Sequence, residues 1–277
     1  MASKPESEPQ LPAAAPLLIP FRTLEGRNMT EQLETPQNDS IGAPWEDVRK
    51  LPVGYPERSS FLRLIGDVEG SRVLDLACGD GFYTRQIAQL GARRSLGVDV
   101  SSAMIEAAGR AEDRDPHGAE FLVADAAQPE LSQLGDFDLV TAAYLVNHAK
   151  SMTELTDMCR GAWSVLAEDG RFVGVTQHPW FSFDGPGPDP YGFVFDRQRD
   201  TEFGTYVRVT AALEPPFRFH TCVIRPEVYE EAFATAGFSK LTWVPVSVGD
   251  EGLQRFGEDF WEDFLANPPI MMFEAHY

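Results

Sequence analysis

The 277-residue sequence is short of several things, and each shortage removes a class of protein. It has no run of about 20 apolar residues, so no segment of it is expected to span a membrane. The stretch 11–21 is apolar, but it holds three prolines and no basic lead of any weight, which makes a poor signal peptide. Only three cysteines occur, Cys78, Cys159 and Cys222, with no Cys-x-x-Cys pair among them. An odd, scattered set does not build a disulfide framework; it points to reduced thiols and a cytoplasmic location. Bases are few, 23 Lys and Arg against 43 Asp and Glu, for a formal net charge of −20. A field of that sign repels phosphate backbones, so no nucleic-acid substrate is expected, and the acidic surface serves solubility.

What is present is enough to fold. Hydrophobic residues make up 43% of the chain, close to the globular norm, so a substantial core can be buried. Residues 1–40 are rich in Pro, Ala, Glu and Ser without a sustained period and read as a disordered leader, with more ordinary polar text from Met29. Residues 41–277 read as one domain. It opens with amphipathic text carrying Trp45, Val48, Leu51, Tyr55, Phe61, Leu62 and Ile65, expected to form one or two helices over the mouth of a ligand site.

From residue 71 onward, strands and helices alternate. Strands are expected at 73–76, 95–100, 120–124, 137–143 and 170–176, with helices at 82–90, 102–110 and 153–166 between them. Alternating βα units imply a parallel sheet with helices on both faces and a ligand crevice outside the carboxyl ends of the strands. Glu168-Asp169-Gly170 reads as a turn, 216–224 as a strand, 226–236 as a helix, and 241–248 as the final strand. Between them, 177–218 is dense in proline, glycine and aromatic residues. It is too long for an idle loop, so it reads as a substrate-covering aromatic lid insertion.

The chemistry concentrates at three strand ends. Arg72-Val73-Leu74-Asp75-Leu76-Ala77-Cys78-Gly79-Asp80-Gly81-Phe82 runs from an apolar strand through an acid into a turn with two close glycines. Such a turn lets backbone approach a nucleoside-bearing ligand with no side chain in the way. It is not the dinucleotide Gly-x-Gly-x-x-Gly, and no Lys-Ser/Thr follows as a phosphate loop requires. A second buried strand closes on Asp99, followed by Val100 and Ser101. That acid comes about 20 residues on, where βαβ nucleotide sites place their ribose-binding carboxylate. A third strand ends at Asp125-Ala126.

This order of signals resembles class I S-adenosylmethionine-dependent methyltransferases, with Ala77 where that family usually has its first glycine. The resemblance implies a Rossmann-like seven-stranded sheet, mostly parallel with an antiparallel last strand. It also implies a cofactor site of Asp75, Ala77, Gly79, Gly81, Asp99, Val100, Met104, Asp125 and Ala126, binding S-adenosylmethionine and leaving S-adenosylhomocysteine. More narrowly, the chain is similar to the toxoflavin-biosynthesis N-methyltransferase subfamily through Asp39-Ser40-Ile41-Gly42, Ala142-Ala143-Tyr144-Leu145-Val146-Asn147, Ala236-Gly237-Phe238-Ser239 and Phe260-Trp261-Glu262-Asp263-Phe264.

Methyl transfer from a sulfonium is an in-line displacement, so positioning and exclusion of water do most of the work. A base helps only when the nucleophile arrives protonated. The candidates are His178, directly after the fifth strand, and His148, with Tyr144 beside it at the end of the fourth. Tyr144, Asn147, Trp180, Phe183 and His220 are candidate substrate contacts. Alternation in Phe217-Arg218-Phe219-His220-Thr221 sets Phe217, Phe219 and Thr221 on one face and Arg218 and His220 on the other. The aromatic set of the insertion, Trp180, Phe181, Phe183 and Tyr191, serves either as a cage for a cation or flat ring or as the lid's own core. No metal is expected, since no Asp-Asn pair stands beside another acid at the right strand end. The expected substrate is a small molecule, favoured a ring nitrogen of a heterocyclic metabolite. A hydroxyl acceptor, a non-catalytic adenosyl-binding module and an NAD-type oxidoreductase are the alternatives, and the oligomeric state is left open.

Overall fold

The computed structural model describes residues 42–277, with side chains from Trp45 onward. The expected leader at 1–40 and the resemblance residues 39–41 lie outside the described residues. Two helices come first, α1 (Gly42–Val48) and α2 (Gly54–Ile65), followed by the alternating core: β1 (Arg72–Leu76), α3 (Phe82–Gln89), β2 (Arg94–Asp99), α4 (Ser102–Arg114), β3 (Ala119–Val123), β4 (Phe137–Ala143), α5 (Met152–Ser164) and β5 (Leu166–Gln177). Then come β6 (Phe193–Asp200), β7 (Gly204–Ala211), β8 (Phe217–Ile224), α6 (Pro226–Ala236), β9 (Lys240–Val244), α7 (Asp250–Phe256), α8 (Glu262–Ala266) and β10 (Ile270–His276).

The main sheet has seven strands in the order β3-β2-β1-β4-β5-β10-β9. Strands β1 to β5 are parallel, and β10 pairs antiparallel with both β5 and β9. The order reverses between β1 and β4, the switch point at which open α/β sheets leave a crevice. Alternation along the strands feeds two cores. Leu74, Val140 and Phe172 face α5 and α6, whereas Val73, Leu139, Val173 and Val175 face α2, α3 and the second sheet. Ser101 caps α4 by accepting from Met104 N at 3.4 Å, and Ser151 caps α5 by accepting from Glu154 N at 3.2 Å.

Three expectations about elements change. The antiparallel last strand is β10, not the segment at 241–248, which is the shorter β9 and forms the sheet's edge. The expected turn at 168–170 is an irregular start to β5. The β4–β5 register shifts between Phe137 and Leu139, and a methyl on Gly170 would lie 2.9 Å from Ala167 O and 3.1 Å from Phe137 O. The expected strand at 216–224 is β8, which leaves the main sheet and joins β6 and β7 in a three-stranded antiparallel sheet. Much of the aromatic insertion is therefore ordered β structure, carrying Val207, Val209 and Ala211 into the second core. Among the described residues, no helix is long and apolar enough to cross a membrane, and no group of three His, Cys, Asp or Glu residues is placed to hold a metal.

Candidate functional site

The loop after β1 turns because three of its residues take left-handed backbone: Ala77 at φ 55°, Gly79 at φ 56° and Gly81 at φ 79°. The glycines are there for different reasons. A methyl on Gly81 would sit 2.6 Å from the Phe121 ring and 3.0 Å from Ala108 Cβ, so this glycine lets α3 start close against β3 and α4. A methyl on Gly79 would meet nothing within 4 Å; its outer side is open. The loop is pinned to β2 by Cys78 N donating to Val98 O at 2.9 Å and by Gly79 N donating to Asp99 Oδ2 at 3.0 Å.

Asp99 also accepts from Ser101 N at 2.9 Å, and burial raises its pKa while the backbone donors oppose the shift. Val100 beside it is 69% exposed, and Val123 at the end of β3 is 41% exposed. Met104 is buried. Asp125 is exposed, accepting from Ala127 N at 2.9 Å in a local turn, while Ala126 packs under α5, where Gly161 passes close to its carbonyl. Asp75 is placed differently from the other candidates. It is 2% exposed, and its two oxygens accept from Thr84 Oγ1 at 2.7 Å and Thr141 Oγ1 at 2.9 Å. Burial lifts its pKa to about 6 against those two hydrogen bonds. It ties α3 and β4 together beneath the loop.

The other lip of the crevice is the end of β4. Tyr144 holds φ 63°, a left-handed conformation that costs a non-glycine residue of order 1 kcal/mol or more. Its hydroxyl donates to Glu57 Oε2 at 2.6 Å, and the Tyr83 hydroxyl donates to Glu57 Oε1 at 2.8 Å. Glu57 belongs to α2 and was not among the sequence candidates. Desolvation raises its pKa, opposed by the two tyrosines and then by Arg49 and Arg58. Arg49 also escaped the sequence reading. It makes a bidentate pair with Asp80 of the β1 loop (3.1 and 2.5 Å) and lies over the Phe82 ring at 4.5 Å. Trp45 of α1 packs on Phe217 and Phe219 of β8 at 5.2 and 5.3 Å. The N-terminal helices thus touch the β1 loop, Tyr144 and the second sheet.

The turn after Tyr144 buries Asn147 (2% exposed), whose Nδ2 donates to Thr221 Oγ1 at 3.0 Å. His148 is exposed, yet desolvation lowers its pKa, with Lys150 adding to the shift. His178, half-buried, donates its backbone N–H to Pro269 O at 3.0 Å and accepts from Trp180 N through Nδ1 at 3.1 Å; desolvation lowers its pKa.

Three candidates are not brought to the switch point. Trp180 lies edge-on to Trp243 of β9 at 5.5 Å, at the far side of the sheet. Phe183 packs on Phe181 at 5.1 Å beneath Arg197, so it belongs to the insertion's own core. His220 is exposed and pairs in register with Arg208, which is itself ion-paired to Asp196, on the charged outer face of the second sheet. The inner face carries Phe217, Phe219 and Thr221, as the alternation predicts, and His220 points the other way.

The sheet order and the α/β layering are those of the Rossmann-like methyltransferases. Residues 73–170 match the methyltransferase domain family. An S-adenosylmethionine-dependent methyltransferase from Mesorhizobium loti superposes with a TM-score of 0.56 over 82% of this chain and 100% of that one, a likeness of fold at 20% identity. In sequence, N-demethylindolmycin N-methyltransferase of Streptomyces griseus is 30% identical over 155 residues, covering 54% of this chain and 61% of that protein. Ribosomal protein L11 methyltransferase of Thiobacillus denitrificans is 33% identical over 126 residues, covering 43% and 41%. The chain thus spans less than two thirds of the length of these relatives.

Proposed function

We propose that this chain transfers the methyl group of S-adenosylmethionine to a nitrogen of a small heterocyclic metabolite. The observation that carries the reading is the loop at 77–81, bent by three left-handed residues and hydrogen-bonded through Gly79 to a strand-end carboxylate, Asp99. The residues fit an adenosyl ligand. Asp99 keeps lone-pair capacity for ribose hydroxyls beyond its backbone donors, Gly79 leaves an open backbone face, and the exposed Val100 offers an apolar surface for a base. Asp125 and Ala126 lie at the neighbouring strand end, and Met104 lies at the start of α4. Asp75 supports the loop from below.

When bound, S-adenosylmethionine supplies a methyl group already activated on a sulfonium. The protein's part is alignment, exclusion of water and acceptance of a proton. The Glu57–Tyr83–Tyr144 cluster fixes the lip of the crevice, and the N-terminal helices and the second sheet enclose it. His148 is the base this geometry favours over His178. It lies four residues after Tyr144 in the turn that leaves β4, and desolvation lowers its pKa, which keeps it neutral at pH 7 and able to take a proton from a ring N–H. His178 has Nδ1 occupied by Trp180 N–H and packs toward the β9 side. The nitrogen acceptor draws support from the toxoflavin-type resemblance and from the N-methyltransferase relative. Hydroxyl methylation is the alternative.

The test is thermal unfolding with S-adenosylhomocysteine, S-adenosylmethionine and NAD separately. A ligand at about 100 times its Kd stabilises by roughly 2.7 kcal/mol, a rise on the order of 5–10 °C for a chain of this size. A rise with the two adenosyl ligands alone supports the reading; no rise with either overturns it.

A further inference from the structure

Two buried side-chain acceptors beside the carboxyl ends of β4 and β5 have no partner. Gln177 ends β5 and is 5% exposed, yet its Oε1 is buried without a hydrogen bond, and among the described residues its Nε2 makes none either. Asn147 is 2% exposed; Nδ2 is committed to Thr221, and Oδ1 is buried and unpartnered. A buried amide oxygen normally finds a partner, because leaving it dry forfeits its hydration with nothing in return.

The two are neighbours by topology. Ala143 pairs with Val175 across β4 and β5, and Tyr144 N donates to Val175 O at 2.9 Å, so Gln177 and the 145–148 turn extend from the same pair of strand ends. Strand alternation puts Gln177 on the face of Val173 and Val175, toward α2 and the second sheet, where Thr221 holds Asn147. The strained backbone of Tyr144 is what turns the chain to bring Asn147 there.

We infer that Gln177 and Asn147 form a hydrogen-bonding edge that selects a flat nitrogen heterocycle presenting a lactam or amidine edge, an N–H beside a C=O or ring nitrogen. This rests on the methyl-transfer reading of the same site. A free primary amide offers a donor and an acceptor side by side, and such an edge satisfies both at once, as amide side chains do on adenine. Asn147 Oδ1 can only accept, so the occupant carries a further N–H or amino hydrogen. A ligand that accepts everywhere and donates nowhere leaves two buried oxygens dry.

The test uses the full chain saturated with S-adenosylhomocysteine. Lumazine, a flat bicyclic lactam, is compared by calorimetry with its 1,3-dimethyl counterpart, which has no N–H, and with catechol. Lumazine should bind tenfold or more tightly than its dimethyl form and than catechol. Gln177→Met should remove that preference while leaving S-adenosylhomocysteine affinity within twofold. The unliganded Gln177→Met protein should also melt higher, by roughly 2–4 °C, since a dry amide is replaced by an apolar chain of like size. A lower melting temperature, an unchanged preference in the variant, no lactam preference in the wild type, or tighter catechol binding each overturns the inference. Loss of S-adenosylhomocysteine binding by the wild type is a separate result, and it strikes the methyl-transfer reading itself.

Discussion

The two glycines of the β1 loop should fail in opposite ways when each is changed to alanine. Both hold positive φ, 56° at Gly79 and 79° at Gly81, so each substitution carries a backbone cost of about 1–2 kcal/mol. At Gly81 the new methyl also meets the Phe121 ring at 2.6 Å and Ala108 Cβ at 3.0 Å. The half-buried Phe121 ring can swing aside, but Ala108 sits on a packed helix, so overpacking adds about 1–2 kcal/mol. Gly81→Ala should then lose about 2–4 kcal/mol in all, a fall in melting temperature of roughly 5–15 °C. At Gly79 the methyl meets nothing, so only the backbone cost applies. That methyl instead occupies the open side of the loop, where an adenosyl ligand is proposed to lie. Gly79→Ala should therefore keep most of its stability and lose about tenfold or more in S-adenosylhomocysteine affinity, equivalent to about 1.4 kcal/mol. Calorimetric titration and thermal unfolding of both variants decide it. Equal stability losses, or undiminished affinity in Gly79→Ala, would refute the assignment of the open side as the ligand side.

Three further outcomes follow from buried ionisable groups. Asp75 has a folded-state pKa of about 6, above its ordinary 3.8, so the unfolded chain releases this proton first as pH rises. Its contribution to stability therefore falls between about pH 4 and pH 6, by about 3 kcal/mol in total, and is level above that window; Asp75→Asn should flatten this slope in melting curves taken from pH 4.5 to 7. The lowered pKa of His148 means that turnover with a protonated acceptor should persist below pH 6.5 before failing on the acid side. His148→Ala should cut kcat about 10²-fold or more and abolish that limb, whereas an unchanged profile removes it from the mechanism. Glu57→Gln leaves one carbonyl oxygen for two tyrosine donors, at 2.6 and 2.8 Å in the wild type. It should cost about 1–3 kcal/mol of stability and lower kcat more than it weakens S-adenosylhomocysteine binding.

The sequence was most legible where one pattern served one role. Apolar strands ending in acids gave β1 to β3, and Ser101 as a helix cap is where the structure puts it. Legibility fell where the pattern was ambiguous. Ile270-Met271-Met272-Phe273 is a four-residue apolar run with no alternation, which by itself does not separate strand from buried helix, so β10 went unread. The hairpin of β6 and β7 is masked by composition, because the alternation in Val207-Arg208-Val209 is short and lies within text dense in aromatic residues and glycine. Glu57 and Gln177 had no local signal at all. Their meaning comes from partners 87 residues away in one case and from the lack of any partner in the other. Asp75 was read as a ligand contact because strand-end acids often are; its two threonine donors come from α3 and β4, which no local motif announces.

The division of labour in the chain explains why a family resemblance could be read and a substrate could not. The methyltransferase family match ends at residue 170 and begins at 73, which takes in the β1 loop, Asp99, Asp125 and Tyr144. Beyond Tyr144, Asn147 and His148, what is proposed to enclose the acceptor lies outside it: Arg49 and Glu57 before, Gln177, Phe217, Phe219 and Thr221 after. Among the described residues, the two strained non-glycine residues, Ala77 and Tyr144, stand at the ends of β1 and β4, one on each lip of the switch point. Each lip is fastened by the N-terminal helices, through Arg49 to Asp80 on one side and Glu57 to Tyr144 on the other. Strain of this kind persists only when the surroundings over-determine it. The helices before residue 73 are thus built into the crevice rather than appended to it.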